Sequence, residues 1–135
     1  MKTAGLLGGM SYESTIQYYK LINKKINNRL GNLNSAKILL YSFNFEEIEA
    51  LQRNGEWDKS GDLMGVQAKH LQDANADFIA ICTNTMHKLI DNINKHINID
   101  ILHISDAVGT EIKKHNLKNV LLLGTKFTME EDFYK

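Results

Sequence analysis

Proline is missing altogether, cysteine and tryptophan occur once each, and the charges cancel, with 16 Lys and Arg against 16 Asp and Glu. Each scarcity removes a class of explanation. Without proline, and without a Gly- or Ser-rich stretch, the chain has no linker signal, no low-complexity segment and no solenoid-type repeat. A single cysteine, Cys82, cannot close an internal disulfide. That fits a reducing compartment and leaves the thiol for other chemistry. Zero net charge and a pI near 7.0 provide no pull toward nucleic acid or an anionic membrane. No apolar run approaches the roughly 20 residues that a bilayer span needs, and no signal-like region follows the first residues. A cytoplasmic protein without membrane or nucleic-acid partners is the expectation, and 135 residues amount to about one domain.

What the sequence does contain is one repeated pattern. Short apolar runs occur at Thr3–Leu7, Lys37–Tyr41, Phe78–Cys82, Asp100–Ile104 and Asn119–Leu123, none with clear polar alternation. Such runs suit strands buried on both faces. Between them lie segments of helical period: Ile16, Tyr19, Ile22, Ile26 and Leu30, then more loosely Leu63, Val66, His70 and Leu71. Strand and helix alternate, which predicts an α/β fold, a parallel sheet with helices on both faces in three layers.

In an open parallel sheet, ligands gather beyond the carboxyl ends of the strands. Three such ends carry small or hydroxyl residues: Gly8-Gly9-Met10-Ser11, Thr83-Asn84-Thr85, and Gly124-Thr125-Lys126. Leading into helix N-termini, they offer free N–H groups that suit a small anion. Phosphate is disfavoured, because neither a P-loop nor a G-x-G-x-x-G register is present. A carboxylate fits the same donors without a lysine cradle. Five scattered histidines show no zinc spacing, so no metal is expected.

Cys82 has two readings at this level. A lone cysteine ending an apolar strand can be a small buried filler. A thiol facing the N-terminus of the next helix can instead be a stabilised thiolate, with Thr83, Asn84 and Thr85 capping that helix or binding substrate. His87 either tunes that thiolate or is simply a capping or partly exposed histidine. Trp57 and Phe43 read as core or cleft-wall residues, and Glu13 as an acid favoured by the first turn of a helix.

Four blocks, "GLLGGMSYEST", "LQRNGEWDKSGD", "CTNTMHK" and "LLGTKFTMEEDFYK", resemble the aspartate/glutamate racemase family, on the branch of aspartate and broad-specificity amino-acid racemases. The resemblance runs from Lys2 to Lys135. It implies interconversion of L and D amino acids without pyridoxal phosphate or another cofactor, by two thiols on opposite sides of the α-carbon. It implies Cys82 as one acid/base group, and Met10, Asn84, Thr85 and Thr125 as the lining for the substrate carboxylate and amine. It also implies that Arg53 receives a side-chain carboxylate, a task that suits a bidentate guanidinium. The family's second cysteine has no counterpart among these 135 residues. The resemblance also implies that residues 1–106 are an N-terminal racemase-like domain and 107–135 the opening strand and helix of a truncated second domain. The apolar run Val120–Leu123 would be a strand without a sheet, which predicts a homodimer that exchanges or buries this tail, or a tail packed back on its own sheet. The alternative to an active enzyme is a truncated or degenerate relative that binds small carboxylates or forms a dimeric scaffold without turnover.

Overall fold

The computed structural model describes residues 1–134. Four parallel strands form one sheet in the order β2-β1-β3-β4. The central strand β1 (Thr3–Gly8) pairs with β2 (Lys37–Ser42) from Thr3 opposite Lys37 to Gly8 opposite Ser42, and with β3 (Phe78–Ile81) from Ala4 opposite Phe78 to Leu7 opposite Ile81. The two-residue β4 (Ile101–Leu102) closes the edge against Ile79 and Ala80. Helix α1 (Tyr12–Leu30) makes the first crossover, α2 (Phe45–Arg53) and α3 (Trp57–Asp73) the second. After β3 come a 3-10 helix (Thr85–Leu89), the short α4 (Ile90–Ile93) and, beyond β4, α5 (Ile104–Lys114) and α6 (Lys126–Glu130). The α/β architecture expected from the alternation is the one observed.

The period of two along the strands sends their side chains to two unequal faces. Leu7, Ile79 and Ile81 join Met64, Ala68 and Leu71 of α3, Ile48 of α2, and Met86 and Ile93 in the main core. Gly61 and Gly65 let α3 come close to the α4 region, since a Cβ at those positions would lie 2.6 Å from Asn92 Cβ and 2.3 Å from His96 Cδ2. Ala4, Leu6 and Cys82 face the other way, under Tyr18 and Ile22 of α1.

Two details differ from the sequence reading. The helices sit where the periodicity placed them, but turned. The inward line on α1 is Thr15, Tyr18, Ile22 and Ile26, whereas Ile16, Tyr19 and Leu30 are exposed. On α3 the buried line is Met64, Ala68 and Leu71, with Val66 exposed. The fifth apolar run is not a strand: 119–123 has no sheet pairing, and Leu121 and Leu123 stand 82% and 76% exposed. The physical reason is the absence of an available edge, because β4 is only two residues long and α5 carries the chain away from it. After the run the chain returns to its own unit, where α6 meets α3 and the 3-10 helix rather than the sheet. Among the described residues no helix is long and apolar enough to cross a membrane.

Candidate functional site

The turn after β1 is built around Gly9. Its φ is +87°, and a Cβ there would lie 2.3 Å from the Phe43 carbonyl oxygen. Only glycine fits a left-handed position with a backbone against it. Gly9 N–H donates to Thr15 Oγ1 at 2.8 Å, and Phe43 N–H donates to Gly8 O at 2.9 Å, which fixes the turn to both α1 and the start of α2. Met10 and Ser11 follow, joined by a cis peptide. On the neighbouring strand, Cys82 N–H donates to Leu7 O at 2.9 Å, and Ser14 Oγ donates to Cys82 O, which binds the start of α1 to the end of β3.

Beyond these strand ends lies a cavity of about 340 Å³. Met10 and Ser11 line it from the β1 turn, Phe45 and Gln52 from α2, Thr83 and Thr85 from the β3 turn, and Thr125, Lys126 and Phe127 from the start of α6. The Thr85 and Thr125 hydroxyls are 3.3 Å apart. Thr125 also caps α6, accepting from Thr128 N–H at 3.4 Å. Hydroxyls, an amide and one ammonium therefore surround a space wide enough for a small amino acid.

The six residues singled out from the sequence separate here. Met10, Thr85 and Thr125 line the cavity together. Asn84 is exposed, and it is its backbone oxygen that is engaged, accepting from His87 N–H at 3.1 Å. Arg53 stands in the last turn of α2 with its guanidinium 2.6 Å from Glu49, one residue round the helix from the Gln52 that lines the cavity. Cys82 lies on the opposite face of the sheet, 1% exposed, packed with Ala4 and Leu6. Burial pushes its thiol up to about 12, so the neutral thiol is the resting form.

Thr83 is the strand-end side chain that faces the cavity. Already a candidate for helix capping or substrate binding from the sequence, it lies in the period of two with Ile79 and Ile81, whereas Cys82 shares a face with Phe78 and Ala80. Gln52 and Phe45 carried no comparable signal, because each is placed by packing between elements distant in sequence.

Nearby charges add definition. Burial, ahead of the adjacent His103, holds His87 below the ordinary imidazole range, with its Nδ1 3.1 Å from Asn84 O and its ring 4.9 Å from that of His103. The Ser11 side chain, hydrogen-bonded to Glu13, holds that carboxyl below its usual range. No group of three or more His, Cys, Asp or Glu among the described residues could hold a metal ion.

Comparison with known proteins identifies the family. The chain is 26% identical over 134 residues to the broad-specificity amino-acid racemase RacX of Bacillus subtilis (strain 168), covering 97% of this chain and 58% of that protein. A crystal structure of a candidate Asp/Glu racemase from Yersinia pestis superposes with a TM-score of 0.94 at 48% identity, over 99% of this chain and 58% of the other. An aspartate racemase homologue from Pyrococcus horikoshii OT3 gives 0.87 at 36% identity, with the same coverage. The chain thus spans somewhat more than half the length of these relatives. Residues 7–135 match the family model for Asp/Glu/Hydantoin racemases, and the chain belongs to that family.

Proposed function

We propose that the protein is an amino-acid racemase acting on aspartate, glutamate or a broader set of amino acids, and that this chain supplies the wall that holds the substrate. The observation that carries the reading is the convergence of Met10, Thr83, Thr85 and Thr125 on one cavity beyond the strand ends, in a chain of this family. The α-hydrogen of an amino acid is a weak acid. Its removal needs donors already aimed at the carboxylate, where charge accumulates, and a base kept close. The hydroxyls provide such donors. Residues 1–106 constitute the racemase-like domain, 107–135 open a second and add Thr125 to the cavity, and no cofactor is required.

The acid/base group assigned to this chain is Cys82, and its burial sets a condition. A thiol held near 12 and facing away from the cavity removes a substrate proton only after its surroundings open and bring it to the cavity side. A second thiol must come from outside these 135 residues, which contain one cysteine. The exposed Val120, Leu121 and Leu123 support a homodimer that covers or exchanges this run; a sedimentation experiment giving a stable monomer at micromolar concentration would remove that part.

The same two features, one thiol and its burial, favour a second reading in which the chain binds small carboxylates without turnover. Incubation with L-aspartate and L-glutamate in deuterated water decides between them. Loss of the α-proton signal with appearance of both enantiomers supports the racemase, and retention of that signal in Cys82→Ser, with L-aspartate still bound, assigns the base to the thiol. Binding without exchange would leave the non-catalytic reading.

A further inference from the structure

The segment that closes one side of the cavity is held by very little of its own. Helix α6 has five residues, too few to persist unaided, and the run leading to it is open to solvent, Leu121 being 82% exposed. Beside the Thr85–Thr125 hydroxyl contact, one ammonium ties it to several groups at once. Lys88 Nζ lies 2.7 and 2.8 Å from the two carboxylate oxygens of Glu131, 3.8 Å from the Trp57 ring centroid and 5.6 Å from that of Phe127. Phe127 in turn meets Trp57 edge-on at 5.1 Å and 75°.

An exposed ion pair would contribute little. This one differs, because the Lys88 side chain is only 18% exposed and its charge sits on an aromatic face. Lys88 also belongs to the 3-10 helix that begins at Thr85. The turn that carries a cavity hydroxyl therefore carries the anchor of the segment that carries the other, Thr125.

We propose that Lys88 is a positioning residue that docks Thr125–Glu131 as a detachable wall of the cavity, so that the pair with Glu131 decides whether Thr125, Lys126 and Phe127 face the ligand. The proposal rests on the racemase reading only for the ligand's identity. Detachment moves three lining side chains at once and leaves the sheet and its main core intact.

The test uses the chain as it stands and two docking readouts. Trp57 is the sole tryptophan, so its emission comes from one ring, which Phe127 and Lys88 contact. Exchange of the Thr128 and Met129 amides, bonded to Thr125 Oγ1 at 3.4 Å and Thr125 O at 3.0 Å, reports on α6. Glu131→Gln and Lys88→Met are expected to speed that exchange by about tenfold and shift Trp57 emission to the red, while Lys88→Arg retains both wild-type values. L-aspartate titration should show at least about tenfold weaker binding in Glu131→Gln and near-normal binding in Lys88→Arg. Unchanged exchange and emission in Glu131→Gln would overturn the proposal, and so would faster exchange with undiminished L-aspartate binding. If Lys88→Met fails to fold, Glu131→Gln decides, since Glu131 lies outside the main core. Failure of the wild type to bind L-aspartate would count against the racemase reading instead, while exchange and emission still judge the docking.

Discussion

The two faces of the sheet are built to different standards. Toward α2, α3 and α4, the side chains of Leu7, Ile79 and Ile81 enter a continuous core with Ile48, Met64, Ala68, Met86 and Ile93, each almost or wholly buried. Toward α1 and α5, the buried cluster is Ala4, Leu6 and Cys82, and beside it runs an apolar groove of about 320 Å³ lined by Tyr18, Phe78, His87, Leu102 and Ala107. Adjacent residues on one strand thus meet different surroundings. Chemistry follows the same division, for the cavity collects its hydroxyls from side chains on the well-packed side and from α6, while the thiol faces the thin side.

The sharpest way to break this comparison is to ask whether Cys82 reacts. The thiolate is the nucleophile toward an alkylating reagent. A shift of the thiol from 9.0 to about 12 leaves about a thousandfold less thiolate at pH 8 than in an ordinary cysteine. Iodoacetamide labelling of the native chain should therefore be slower than labelling of the urea-unfolded chain by at least about that factor. Labelling at a comparable rate in both states would show that the thin face opens readily, and would return Cys82 to the position of an available base.

A matched pair of deletions compares the packing itself. Leu6 and Leu7 are both fully buried neighbours on β1 that point to opposite faces. Leu7→Ala removes contacts from a core that cannot collapse and should cost about 3–5 kcal/mol. Leu6→Ala empties space next to an existing groove, where rearrangement is easier, and should cost ~2–3 kcal/mol. Urea unfolding of both variants reads the difference. Equal losses would mean that the groove is as rigid as the core, and the contrast between the faces would not hold.

Much of the fold was legible in the sequence, though not the difference between the faces, and the remainder fails for identifiable reasons. Four of the five apolar runs form the sheet, because each carries its own signal of β-rich residues bounded by turns. The fifth, 119–123, has the same composition but no edge to pair with, and pairing is a property of the partner as much as of the run. Met10, Thr85 and Thr125 were implied by the family resemblance, and all three line the cavity, although the run before Thr125 is not a strand. Arg53 illustrates the opposite case: a helix brings neighbours to directions about 100° apart, so Gln52 faces the cavity while Arg53 meets Glu49. Trp57 was read as a core or cleft-wall residue, but Lys88 gave no signal, since its pair with Glu131 depends on the chain's return after α6, about 40 residues further on.

The smallest expected effect sharpens the comparison from the thin side. His87 lies on the groove, 2% exposed, and burial holds its imidazole below the ordinary value of 6.5. The unfolded chain therefore takes up this proton at a higher pH than the folded one does. Where the unfolded state binds more protons, stability rises with pH. The contribution is fully present above about pH 6.5 and is lost as the pH falls below it. Urea midpoints measured from pH 7.5 down to pH 5 should decline for the wild type and decline less steeply for His87→Leu, which has nothing to protonate at that position and also suits the apolar groove. An identical slope in the two proteins would show that the groove admits water and a proton without cost, and that the thin face of the sheet is already solvated in the folded chain.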